Sequence, residues 1–307
     1  MQLSVSVVPT KASEARVSIK LPLIPGNWRA AFDPLPEADG AEAVEIRSPA
    51  HGFAAIGAPL RLSIIDLDRT LTRRPTYSRF LLGAARAIAP WRLLLVPAIL
   101  LLMLGYKMGL TSRKRLKERM HHAMLGPHLA RARFDAMVTR FVEREVASNC
   151  YAAGFELIAR EHREGRIVII ATAAPAYYAA ALGRRLGADA IVATPGTWRD
   201  ERLYPAIHGE NCYGLDKLAA VRRVLVEAGS DLAKLHVRVY SDDLSDLPLF
   251  EWCDEPFAVN PSARLERLAR SRGWRILDWR RAERRGERAG TDDRRSLQTG
   301  EALQRVR

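Results

Sequence analysis

The chain has 307 residues, 48% of them hydrophobic, and a formal net charge of +13. That size and composition suit one large globular domain, or a core carrying an insert. Its three cysteines, Cys150, Cys212 and Cys253, form no Cys-x-x-Cys pair, which argues against a disulfide framework or a zinc site and fits a reducing cytoplasm. The first thirty residues lack a basic start followed by an apolar core, so no secretory signal is expected. The charge is local. Between Arg73 and Glu145 there are fifteen basic residues against four acidic ones, an excess of +11. The remainder is close to neutral, so no nucleic-acid partner is expected; a basic segment of this kind attracts anionic surfaces.

Residues 3–8 and 17–21 alternate apolar and polar side chains and predict two short strands within a loosely ordered extension, residues 1–59, that carries no catalytic group. Residues 60–65 are mostly apolar and end abruptly at Asp66 and Asp68, the pattern of a buried parallel strand with carboxylates at its C-terminal end. Ligands of open parallel sheets bind beyond those strand ends. A carboxylate there can act as a nucleophile toward phosphorus, and a second can exchange protons with the leaving group and with water. The alternative is an acidic turn that caps its own backbone.

An insert without strand signals follows, residues 73–164. Residues 77–89 read as a helix ended by Pro90. Residues 93–106 are uncharged, hold Pro97 and are flanked by Arg92 and Lys107. At fourteen residues the run is short for a membrane span, which needs about 20. A buried helix is the default; docking into one leaflet and a true span are the alternatives. Residues 113–125 predict a basic helix with Leu116, Met120 and Met124 on one face. His121, His122 and His128 have no acid or cysteine at ligand spacing and are read as surface or packing residues. Residues 134–159 predict one further helix with an apolar stripe through Phe134, Val138 and Phe141.

Strands resume at residues 167–171, 190–193, 235–240 and 256–260, alternating with helices from Pro175, Lys217 and Pro261. Residues 195–211 look like a loop or hairpin. Alternating strand and helix predict a doubly wound parallel α/β sheet over residues 60–72 and 165–278. Residues 279–307 are dominated by Arg and Glu and predict a solvated, partly disordered tail.

Four separated stretches carry the chemistry: Asp66-Leu67-Asp68-Arg69-Thr70, then Thr172 after an apolar strand, then Asn211-Cys212-Tyr213-Gly214-Leu215-Asp216-Lys217, then Asp242 through Asp246-Leu247-Pro248-Leu249. In this order they resemble the haloacid dehalogenase (HAD) superfamily, and in detail its subfamily IB, which includes phosphoserine phosphatase and bacterial phosphatidylglycerophosphatases. The resemblance implies a Rossmann-like core with an inserted all-helical, C1-type cap. It further implies Asp66 as nucleophile, Asp68 as general acid and base, and Thr172 and Lys217 as phosphate ligands. Mg²⁺ would be held by Asp66, Asp68, Asp242 and Asp246. Arg69 stands where many relatives have Gly, and Asp243 where a small residue is common.

The implied activity is Mg²⁺-dependent hydrolysis of a phosphomonoester through an aspartyl phosphate. The basic, apolar cap and the pair Ala173-Ala174, in place of a Gly-Gly pair, favour an anionic lipid-like phosphate such as phosphatidylglycerophosphate. Phosphoserine or another small metabolite is the second candidate, a phosphomutase differs only in the phosphoryl acceptor, and a non-catalytic membrane-associated module is the alternative from another class. The expected location is the cytoplasm, with the cap as the means of peripheral attachment to the inner face of the membrane.

Overall fold

The computed structural model describes residues 60–283 and, before them, the backbone of two short antiparallel strands, β1 (Val17–Ile19) and β2 (Val44–Ile46). The strand expected at residues 3–8 and the tail beyond residue 283 lie outside the described residues. In chain order there follow β3 (Leu60–Ile65), α1 (Thr76–Ile88), α2 (Val96–Lys107), α3 (Arg113–Leu125), β4 (Leu129–Ala130), α4 (Arg131–Ser148) and α5 (Ala152–Arg163). Next come β5 (Ile167–Pro175), α6 (Ala176–Leu186), β6 (Ala190–Thr194), β7 (Gly196–Arg199), β8 (Arg202–Ile207) and α7 (Leu215–Glu227). The last are β9 (Leu235–Ser241), α8 (Leu247–Trp252), β10 (Glu255–Val259), α9 (Ala263–Ser271) and β11 (Arg275–Leu277).

Six strands form one sheet in the order β11-β10-β9-β3-β5-β6, and every pairing is parallel. β3 lies in the middle, between β9 and β5, which explains its apolar sequence: both of its faces are covered. Leu62 and Ile64 pack with Val221, Leu225, Leu249 and Leu265 of the helices on one side. Ile65 packs with Leu157, Ile158, Tyr178 and Leu182 on the other. This two-residue alternation is what a strand between two helical layers must show. The fold is thus a doubly wound, Rossmann-like α/β sheet. β11 has only three residues and an exposed arginine, too little pattern to be read from sequence.

The insert is helical except for β4, which pairs with β8 and makes a small antiparallel sheet, β4-β8-β7, with the hairpin that follows β6. Leu116, Met120 and Met124 are all buried, as are Phe134, Val138 and Phe141. Phe80 of α1 meets Phe134 and Phe141 edge-on and stacks on Tyr178, joining the insert to α6.

Three expectations are corrected. The single helix over residues 134–159 is broken at Asn149–Tyr151. Asn149 bonds the backbone of Arg74 through both ends of its amide, and Cys150 bridges to Thr72, so tertiary bonds interrupt a pattern that contains no glycine or proline there. The run 93–106 is not a buried helix. A 3-10 turn (Pro90–Leu95) leads into α2, and only Ile99 is buried along the two. Finally, Trp279 does not belong to a solvated tail: it is buried against Tyr151, and Glu283 pairs with Arg73 at 2.6 Å.

Candidate active site

Register places the site. Ile65 of β3 pairs with Ile170 of β5 and with Tyr240 of β9, so Asp66 and Asp242 leave the sheet together at its C-terminal rim, beside Thr172, which is still paired with Ala193 of β6. The Asp66 N–H donates to the Tyr240 carbonyl at 2.8 Å, fixing the chain where the carboxylates begin. A tight turn over Leu67–Leu71 follows, and Arg69 takes a left-handed backbone, φ 66°. Glycine adopts that conformation without steric cost, and a side chain does so with difficulty.

Lys217, in the first turn of α7, is 2% exposed. Its ammonium donates to Asp66 Oδ1 at 2.9 Å and to Asp246 Oδ2 at 2.8 Å, with Asp246 Oδ1 at 2.7 Å. Ser241 Oγ donates to Asp246 Oδ2 at 2.6 Å. Burial works against charge on Lys217, but Asp246 and Asp66 outweigh it and hold the amine well above its usual value. Thr70 Oγ1 lies 3.5 Å from Asp242 Oδ1. Asp243 contributes differently from its neighbour: its carboxylate caps the Ser245 N–H at 3.0 Å.

Asp68 turns toward the insert. Its Oδ1 accepts from the N–H and the hydroxyl of Thr76, both at 2.8 Å, and Tyr178 Oη sits 2.9 Å from that hydroxyl. Burial raises the Asp68 carboxyl above its usual value, against the two Thr76 bonds. Thr172 is buried, and its oxygen accepts from the Ala174 N–H at 3.0 Å, shaping the loop at the end of β5.

Sequence reasoning did not single out Thr76, Ser241, Tyr178 or Lys117. Lys117 reaches from α3 across the rim, donating to the Ala173 carbonyl at 2.6 Å and to Asn211 Oδ1. Burial and the nearby Arg113 push its pKa down to about 8. Arg113 itself lies over the Tyr213 ring at 3.7 Å. Beside them is a small, partly open pocket lined by Tyr77, Lys117, His121, Tyr177 and Thr194. The only sequence signal for Lys117 was its place in a basic helix.

The electrostatics call for a cation. Burial raises Asp66, Lys217 opposes this, and Asp246 and Asp68 raise it further. Burial likewise raises Asp242, and the Asp66 charge adds to that. Buried carboxylates crowded in this way, Asp242 raised by Asp66 and Asp66 by Asp246 and Asp68, ionise together only with added counter-charge. Among the described residues no three His, Cys, Asp or Glu side chains converge as a cage of their own. Mg²⁺ does not need one, because it takes one or two carboxylates and completes its shell with water and substrate phosphate. The donor set therefore fits that ion.

The haloacid dehalogenase-like hydrolase family matches residues 64–251. The inhibition of morphological differentiation protein of Streptomyces azureus is 36% identical over 138 residues, 45% of this chain and 49% of that protein. Phosphoserine phosphatase SerB1 of Mycobacterium tuberculosis is 31% identical over 153 residues, 50% of this chain and 49% of that protein. The chain thus spans about half the length of the curated relatives it matches. Among solved structures, a protein of unknown function from Bordetella pertussis Tohama I aligns with TM-score 0.65 at 24% identity, over 72% of this chain and 100% of that one. A phospho-aspartyl intermediate analogue of phosphoserine phosphatase aligns at TM-score 0.50 and 14% identity, over 71% of this chain and 93% of that one. Both structural likenesses fall below 25% identity and speak for the fold alone. With the family match extending over more than half of its length, the chain belongs to the haloacid dehalogenase-like hydrolase family.

Proposed function

We propose that the protein hydrolyses a phosphomonoester through an aspartyl phosphate on Asp66. The observation that carries this reading is the buried ammonium of Lys217 between Asp66 and Asp246, 2.9 Å from the Asp66 carboxylate at the sheet rim. Asp66 attacks phosphorus, the bond from phosphorus to the ester oxygen breaks, and the departing alcohol takes a proton from Asp68. Water then attacks the phosphoryl group, Asp68 recovers the proton, and inorganic phosphate leaves. Both Thr76 bonds fall on Asp68 Oδ1, which leaves the proton work to Oδ2. The raised Asp68 pKa suits a group that must begin as an acid. Thr172 and Lys217 hold the phosphoryl oxygens. Mg²⁺ would be held by the carboxylates of Asp66 and Asp242 and the backbone carbonyl of Asp68, with Asp246 orienting Lys217; when bound it neutralises phosphate charge.

For the substrate we favour an anionic lipid-like phosphate such as phosphatidylglycerophosphate, supported by the basic residues and exposed leucines of the insert. Phosphoserine is the second reading, favoured by the likeness to SerB1. The test is Mg²⁺-dependent release of phosphate from an aryl phosphate, followed by a panel of lipid and soluble phosphomonoesters. Asp66→Asn should lower kcat by about a thousandfold or more, the usual scale for loss of a covalent nucleophile. Equal rates in the two proteins would end the nucleophile assignment.

A further inference from the structure

The segment from Pro90 to Leu110 packs on the core through Ile99, with Leu95, Leu102 and Tyr106 partly buried, and leaves other apolar side chains open. Leu94 is 80% exposed, Leu101 69% and Leu110 76%, with Leu104 and Met108 more than half exposed. Within α2, Leu100, Leu101 and Leu104 are exposed at helical spacing, with Leu94 in the turn before the helix and Met108 just after it. A run of this size open to water marks a surface that something else covers.

Length and composition alone would allow residues 90–107 to cross a membrane. The fold forbids a single crossing. The helices at the two ends of the segment, α1 and α3, pack on each other, and Tyr77 Oη donates to the Lys117 carbonyl at 2.9 Å. Arg92 lies back along α3 and donates to the carbonyls of His122 and Ala123. Both ends of the segment therefore stand on the same side of any bilayer, and it can only lie along the surface.

Charge selects what covers it. From Arg69 to Lys117 the chain contains no acidic residue, and Arg86, Lys107 and Arg115 are exposed around the apolar run. A second copy would present the same basic face, because a two-fold contact brings the same patch together twice. An anionic lipid surface instead accepts the leucines and neutralises the cations, two contributions that add.

We propose that Pro90–Leu110 is an in-plane docking element that seats the cap on an anionic bilayer. This deepens the lipid-phosphate reading above and rests on it for the substrate, while the docking itself is independent of the chemistry at Asp66. The experiment is co-sedimentation of the full chain with vesicles of phosphatidylcholine alone or mixed with phosphatidylglycerol, alongside aryl phosphate hydrolysis without vesicles. Wild type is expected to bind the anionic vesicles and to be released by salt. The pair Leu101→Ser and Leu104→Ser should weaken binding by about tenfold or more, from lost apolar burial. Lys107→Glu should weaken it on anionic vesicles only. Aryl phosphate turnover should be unchanged in all three variants, which also shows that they are folded. No binding to anionic vesicles overturns the proposal. So does binding that survives the leucine changes, or a concentration-dependent dimer that the leucine changes abolish while vesicles bind nothing. Vesicle binding without turnover would instead sink the phosphatase reading and leave the docking element standing.

Discussion

Arg69 directly follows the two carboxylates that begin the site, in a backbone conformation that costs a side chain about 1–2 kcal/mol. A glycine here would be free of that cost, a reason visible once φ is known and invisible in the sequence. Arg69→Gly is expected to stabilise the protein by about 1 kcal/mol in urea unfolding; Arg69→Ala keeps the strain and should show no such gain. Equal stability of Gly and Ala variants would refute the strain. At this scale Asp66, Asp68 and Asp242 stand out because they follow strand ends, while Lys217 stands out only through the motif that resembles the family. Thr76 and Lys117 were not. Each reaches the site from a helix of the insert, and no local pattern reveals a contact made by folding.

Among the elements, the parallel strands and most helices follow from periodicity. α2 was misjudged because a helix apolar on every side has no face to read, so a buried one and a lipid-facing one look alike. The ending of α4 was hidden because Asn149 forms its bonds with residues 75 positions away. Elements also differ in how pH acts on them. His162, near the end of α5, lies 2.9 Å from Asp189 just before β6, and that bond raises its pKa, with burial opposing. A raised histidine contributes stability that is complete below about pH 6.5 and is lost as pH rises through the folded-state value. With the His162 side chain about a third exposed, the pair is worth little, about 0.5 kcal/mol. Comparing unfolding of wild type and His162→Asn, the difference should be largest near about pH 5.5 and fade in alkali. A difference growing with pH would contradict the assignment.

Across the whole molecule, Glu161 of α5 ties β3 to β9 and meets Arg166 just before β5. It accepts from Ser63 of β3 at 2.6 Å and from Tyr240 of β9 at 3.0 Å, and lies 3.2 Å from Arg238 and 3.7 Å from the fully buried Arg166. Removing one member of a buried ion pair strands the other, at a cost of about 3–5 kcal/mol. Glu161→Ala should lose stability on that scale in urea while the folded fraction keeps its turnover, since none of these groups faces the rim. A loss below about 1 kcal/mol would mean that Arg238 and Arg166 are served by Glu164 and Glu255 instead.

The pairing of β4 with β8 bears on how the molecule opens. Leu129 and Ala130 are stitched to Leu203 and Arg202, so the insert is sewn to the main body along a seam as well as joined at its two ends. Swinging it aside as one rigid door would rip that seam. Lys117, clasped to Ala173 and Asn211, latches the insert to the rim at a further point.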